Sequence, residues 1–108
     1  MAKYGLPIKE LERIRERDKF CVYCHKTMIQ SGNIGGHGDW VSIEHLNRFP
    51  PWNNHATVVL CCISCNSSRG QKKLRDWFKT PYCIERSINE DTVAESVKIY
   101  LSKNESRI

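Results

Sequence analysis

The stretch that decides the fold covers residues 43–70 and reads IEHLNRFPPWNNHATVVLCCISCNSSRG. Its first residues place a carboxylate beside an imidazole, at Glu44 and His45. Later it carries a Cys-x-x-Cys pair that ends at Cys65 and is followed at once by an amide side chain, Asn66. We interpret the cysteines as ligands of a structural metal ion. The carboxylate, imidazole and amide are then the chemical groups that this metal site holds together.

The cysteines predict a zinc site. Four of the six fall into two Cys-x-x-Cys pairs, Cys21 with Cys24 and Cys62 with Cys65. A turn lets two such thiolates reach one tetrahedral ion, and two pairs complete a closed site that is structural, not catalytic. The alternatives are unrelated, partly buried thiols, or a redox pair, which is disfavoured because no βαβ pattern surrounds either motif. Cys61 and Cys83 are assigned no role.

Length and composition describe one small domain over residues 1–108 that is 27% charged. No apolar run approaches the ~20 residues of a membrane span. The N-terminus has no apolar signal segment, so we expect a cytoplasmic protein, in which cysteines serve metal binding more often than disulfides. The net charge of +5 favours a polyanionic partner. Zinc on four thiolates would lower that charge by two, so the preference is mild.

Residue patterns in the first half of the chain predict a helix and two strands. Ile8, Leu11 and Ile14 recur at helical spacing, which predicts a helix over about 8–18 that Pro7 opens. Alternation predicts a strand over residues 40–45, and a β-branched apolar run predicts a second over 56–61. Neighbours on a regular strand point to opposite faces, so the carboxylate and imidazole can meet only if the first strand ends or bends there.

Three helices are predicted downstream, over residues 63–69, 73–79 and about 89–103. Gly70 is able to end the first of them. Pro81 lies beyond the end of the second, and Ser87 with Glu90 fits a capping box before the third. The expected order is therefore a helix, a cysteine knuckle, two strands, a helix and C-terminal helices.

The combined motif resembles the HNH endonuclease family over about residues 20–78. The resemblance lies in Glu44-His45, then Cys62-x-x-Cys65-Asn66, then Arg69-Gly70 and Lys72. It implies an α+β fold: a small zinc-stapled ββα-metal core, treble-clef-like, with flanking N- and C-terminal helices. It also implies a nuclease that hydrolyses a DNA phosphodiester bond with one divalent ion.

The resemblance also assigns roles to the three chemical groups. His45 would be the general base that activates water, and Glu44 and Asn66 would bind the catalytic ion. The chemistry agrees, because a neutral imidazole titrates near neutral pH and can accept a proton from water. One carboxylate and one amide carbonyl suit a hard ion such as Mg²⁺ or Mn²⁺.

The chain departs from the family at Thr57, where the family has its middle Asn. That Asn fixes the loop between the strands. Here its role would fall to Asn53, Asn54 or His55, or to the hydroxyl of Thr57.

Four basic residues are candidates to bind DNA phosphates. Arg69 is three positions after Asn66, so the two share a helix face. Arg48, Lys72 and Lys73 complete the set. Such contacts supply affinity without reading bases. The alternative is a solvated basic surface.

The resemblance therefore implies a metal-dependent DNA endonuclease that nicks with weak sequence specificity, as a monomer or a homodimer. The C-terminal helix could form a dimer contact, but packing on the N-terminal helix is its favoured use. The first alternative is a zinc-stabilised nucleic-acid-binding module without catalysis. The second is a structural or interaction domain in which the Glu-His pair is incidental.

Overall fold

The computed structural model describes residues 6–29, 37–47 and 54–104. Within these ranges the protein is a small α+β structure with one two-stranded antiparallel sheet. Its elements are α1 (Ile8–Arg17), β1 (Val41–His45), β2 (Val58–Cys62), α2 (Ile63–Arg69), α3 (Leu74–Trp77), α4 (Pro81–Arg86) and α5 (Glu95–Asn104). The predicted N-terminal helix, hairpin strands and following helix are confirmed, with ends shifted by one or two residues.

The sheet has apolar residues on both faces, because every residue of β2 is buried. Val58 and Leu60 pack with Leu6 and with Ile14 of α1. The alternate residues of the strand, which point to the opposite face, belong to the larger core. β2 thus lies between α1 and the rest of the protein, which explains its continuous apolar sequence.

Polar contacts tie the end of α1 to β2. The Asp18 carboxylate is buried and accepts a hydrogen bond from the backbone N–H of Leu60 at 3.0 Å. Arg17 pairs with the same carboxylate at 2.7 Å and donates to the carbonyl of Val58 at 3.1 Å. A buried backbone donor is thereby satisfied where the helix meets the strand.

The C-terminal third differs from the sequence prediction. Pro81, expected only to lie beyond a helix, begins α4, since proline is well suited to the first helical position. Ser87, expected to open the last helix, adopts a left-handed conformation (φ 55°) that ends α4. α5 begins only at Glu95, so the predicted start near residue 89 is wrong. Residues 89–92 instead form a turn in which Thr92 and Asn89 side chains bond the backbone.

The larger core joins α5 to the first cysteine pair. Val97 and Leu101 of α5 are buried with Trp77 and Cys83. The carbonyl of Val22, between the two knuckle cysteines, accepts a hydrogen bond from the N–H of Ala94 at 2.8 Å. Among the described residues, no helix has the length and apolar character needed to cross a membrane.

Candidate functional site

The four motif cysteines form one cluster. All four Sγ atoms lie within 4.8 Å of one another, and those of Cys24 and Cys62 are 3.9 Å apart. Four sulfurs bound to one tetrahedral zinc ion at about 2.3 Å would be separated by roughly 3.8 Å. The cluster could therefore hold a metal ion such as zinc.

The four thiols of the cluster also form one hydrogen-bonded network. Hydrogen bonds from Cys24, Cys62 and Cys65 hold the pKa of Cys21 well below its usual value. The backbone N–H of Cys24 adds to this shift. The same network of hydrogen bonds raises the pKa of Cys62 and of Cys65. A metal ion bound by the cluster would require all four thiols to be deprotonated.

The cluster also fixes the junction from which α2 begins. Cys62 is the last residue of β2, and Cys65 lies in the first turn of α2. Asn66 follows, and its Nδ2 donates to Ser42 Oγ at 3.1 Å and to the carbonyl of Ile43 at 3.2 Å. Because the amide nitrogen is directed at β1, the carbonyl oxygen is the end available to a ligand.

A cavity of about 180 Å³ brings the predicted chemical groups together. It is lined by Ile43, Glu44, His45, Asn47, Asn66, Arg69, Gly70 and Gln71. Glu44 and His45 both line it, although they are consecutive residues of β1 that pair with Val59 and Val58 of β2. The three residues predicted to carry the chemistry, Glu44, His45 and Asn66, therefore line the same small space.

Glu44 is buried and bonded inside the protein. Its Oε2 accepts hydrogen bonds from the Tyr23 hydroxyl at 2.9 Å and from Arg69 Nη1 at 3.2 Å. Burial raises the pKa of Glu44, and the positive charge of Arg69 opposes that rise. Burial, together with the negative charge of Glu44, also raises the pKa of Tyr23, so its hydroxyl keeps its proton and acts as the donor.

His45 is the last residue of β1, and its side chain is partly buried. Burial lowers the pKa of His45 below its ordinary value of 6.5, because desolvation disfavours the imidazolium. The ring is therefore neutral at neutral pH, which is the form that can accept a proton.

Arg69 does not occupy the solvent-facing position expected of a phosphate contact. Its side chain is 2% exposed and pairs with Glu44. It also donates to the carbonyls of His45, Leu46 and Lys72, at 3.1, 2.9 and 2.9 Å. This burial opposes the predicted binding of DNA phosphate by Arg69, because its guanidinium already links α2 to the end of β1 by hydrogen bonds.

The other predicted phosphate contacts differ in position. Lys72 and Lys73 are exposed just beyond α2. The Nζ of Lys72 donates a hydrogen bond to the carbonyl of Ser68 at 3.4 Å. Arg48 lies outside the described residues.

The residues predicted to fix the loop between the strands form a turn before β2. The carbonyl of Asn54 accepts hydrogen bonds from the N–H groups of Thr57 and Val58, and its side chain accepts from Ala56 N–H at 2.8 Å. The Thr57 carbonyl accepts from the N–H of Leu46 at 2.8 Å. Asn54 thus organises the turn. Thr57 contributes through its backbone and through its hydroxyl, which donates to the Asn54 carbonyl at 3.5 Å. Asn53 lies outside the described residues.

His55 joins the same turn to α1. Its backbone N–H and its Nδ1 both bond Glu10 Oε1, at 3.0 and 2.9 Å. These hydrogen bonds lower the pKa of Glu10.

Sequence reasoning missed Tyr23. It lies between Cys21 and Cys24 in the first knuckle and reaches the carboxylate of a residue 21 positions away. The only signal for it in the sequence is a hydroxyl inside a cysteine turn, which does not reveal its partner.

Comparison of the chain with protein-family models, with curated proteins and with solved structures found no match.

Proposed function

We propose that the protein is an HNH-type endonuclease that hydrolyses DNA phosphodiester bonds with a divalent ion. The observation that carries the proposal is the cavity shared by Glu44, His45 and Asn66. These are the groups that the sequence motif assigns to the chemistry, and the third lies more than 20 positions from the first two. In this proposal the hairpin and α2 form a treble-clef-like ββα-metal core.

His45 is the general base in this scheme. Its imidazole is neutral at working pH because burial lowers its pKa, and it lines the cavity in which a water molecule would be activated. A positioned base of this kind contributes about 10²–10⁴-fold to a rate.

Glu44 and Asn66 supply the oxygen donors for the divalent ion. Their carboxylate and amide oxygens match the preference of Mg²⁺ or Mn²⁺, and a small cavity leaves room for water and one phosphate oxygen. An ion bound there would neutralise charge on the scissile phosphate and stabilise the leaving oxygen. Asn66 is held toward this position by its hydrogen bonds to β1.

The cysteine cluster serves as a structural zinc site in this proposal. It holds the end of β2 and the start of α2 against the first knuckle, and so fixes where Asn66 lies relative to β1. A domain of 108 residues has a modest core, so a metal contributes usefully to its stability.

DNA is the partner that this chemistry requires. Lys72 and Lys73 are exposed directly after the helix that carries Asn66, where they can meet a phosphate backbone. Phosphate contacts give affinity that falls with salt and carries little sequence information. A single site engages one strand, so a monomer nicks with weak sequence specificity.

A non-catalytic, zinc-stabilised nucleic-acid-binding module is the second candidate. The observation that favours it is the ion pair between Arg69 and Glu44, which already satisfies part of the carboxylate without a divalent ion. Under this reading the cavity is only a surface depression.

Supercoiled plasmid separates the two candidates. The purified zinc-loaded protein is incubated with plasmid in Mg²⁺, in Mn²⁺ or in a divalent-free buffer. Open circular product that forms only with a divalent ion supports the nuclease. Plasmid that stays supercoiled in every ion refutes it, and salt-dependent retention of a DNA duplex by the same sample then identifies the binding module.

A further inference from the structure

We propose that Tyr23 is a positioning residue that links the cysteine cluster to the candidate divalent-ion site through the carboxylate of Glu44. This inference rests on the proposed function and adds to it a residue outside the HNH-type motif.

Tyr23 is rigidly held. Its side chain is buried, with the residue 1% exposed, and its ring packs edge-on against Trp77 at a centroid distance of 4.9 Å. Its neighbour Val22 donates from its backbone to the carbonyl of Leu60 in β2 at 3.3 Å. The ring cannot change direction without disturbing the core, so the hydroxyl has one fixed position.

The hydroxyl acts on one oxygen of Glu44. Oε2 takes both hydrogen bonds that this carboxylate makes within the described part of the chain, one from Tyr23 and one from Arg69. The group is buried, yet it lines the cavity. The orientation of the carboxylate is therefore set by its Oε2 side, and Oε1 is the oxygen left to serve as a single donor to a divalent ion.

The link to the cluster follows from the position of Tyr23 in the chain. Cys21 and Cys24 enclose it within one turn, and their sulfurs belong to the four-cysteine cluster. A change in the geometry of that turn moves the Tyr23 hydroxyl, and with it the carboxylate. A fixed spacing between the cysteine cluster and the candidate ion site is thus built into a single side chain. Groups that orient a metal ligand in this way typically change metal affinity by about 10–100-fold when they are removed.

The test is the affinity of the zinc-loaded protein for Mn²⁺, measured from the electron paramagnetic resonance signal of the free ion. Tyr23→Phe keeps the ring and removes only the hydroxyl. We expect its Mn²⁺ dissociation constant to rise about 10–100-fold, with zinc content unchanged. Tyr82→Phe is the matched control. The Tyr82 hydroxyl lies 3.3 Å from Cys65 Sγ, so this variant makes the same change beside the cluster but away from Glu44. We expect it to bind Mn²⁺ as wild type does.

Unchanged Mn²⁺ affinity in Tyr23→Phe overturns the proposal, and so does an equal loss in both variants, which would indicate general damage near the cluster. A wild-type protein that binds Mn²⁺ no better than Glu44→Gln overturns the proposed ion site itself, and this inference with it. If Tyr23→Phe does not fold, wild-type protein labelled with 3-fluorotyrosine is titrated with Mg²⁺. A shift of the Tyr23 fluorine resonance then supports the proposal, and its absence overturns it.

Discussion

Replacement of Arg69 by methionine should strongly destabilise the protein. Arg69→Met keeps most of the apolar length of the side chain and removes its charge and its donors. Its guanidinium bonds the Glu44 carboxylate and three backbone carbonyls, all in a region where the side chain is 2% exposed. The substitution leaves a buried carboxylate without its cation, together with carbonyls that lose a donor.

The expected loss is about 3–5 kcal/mol in the free energy of unfolding, the typical cost of breaking a buried ion pair by removing one partner. In a domain of this size each kcal/mol corresponds to about 4–8 °C in the unfolding midpoint. A second variant, Arg69→Met with Glu44→Gln, removes the stranded charge as well. It should recover part of the loss, with an interaction energy of about 0.5–3 kcal/mol.

Urea unfolding, followed by tryptophan fluorescence with zinc present, measures both quantities. Arg86→Met is the matched control, because its guanidinium lies over the Tyr82 ring at 3.8 Å and its side chain is 45% exposed. The control should lose about 0.5–1 kcal/mol. If Arg69→Met loses no more than Arg86→Met, or if the second substitution recovers nothing, the account of Arg69 as a buried link between α2 and β1 is wrong.

Three further predictions concern the four-cysteine cluster, the general base His45 and the attachment of α1 to β2. Cys62→Ser should lose its zinc, from about one ion per chain to almost none by metal analysis, and should unfold at a lower urea concentration. Zinc content and stability equal to those of the wild type would contradict the assignment of the cluster as a zinc site. As pH falls, the plasmid-nicking rate should drop with a midpoint below pH 6.5, because burial lowers the pKa of His45 and keeps the imidazole neutral to lower pH. A midpoint above pH 6.5 would count against His45 as the general base. Asp18→Ala should cost about 1–3 kcal/mol in the same urea assay, since the Leu60 N–H loses its acceptor, and a cost near zero would refute this tie.

The sequence predicts the parts of this fold whose signals are local. Apolar residues at helical spacing place α1, and a β-branched run beside a Cys-x-x-Cys places β2 and the start of α2. The four cysteines come together because each pair is a turn by itself, and the hairpin needs only to bring the two turns to one point.

The C-terminal helices were not predictable in this way, because two residues have more than one common use. Pro81 suits both the end of one helix and the first position of another. Ser87 resembles a helix cap, but it adopts a left-handed conformation and the N–H of Ile88 bonds the carbonyl of Cys83. The choice is made by burial of Cys83 and Ile88 in the core, which local sequence does not show.

The residues that hold Glu44 in place could not be predicted either, because their contacts with it are tertiary. An arginine is usually exposed, so the sequence favours a surface position for Arg69. Only the fold brings it to Glu44, 25 positions earlier, together with the hydroxyl of Tyr23. The motif therefore identifies the groups that line the cavity, but not those that hold them.

The rate of plasmid nicking by His45→Ala under single-turnover conditions tests the central claim most directly. His25→Asn is the matched control. It changes an imidazole whose Nε2 contacts the Thr92 carbonyl, away from the cavity, and asparagine tolerates the positive φ of 64° at that position. The account predicts a fall of about 10²–10⁴-fold for His45→Ala and a wild-type rate for His25→Asn. Nicking by His45→Ala at the wild-type rate would contradict it.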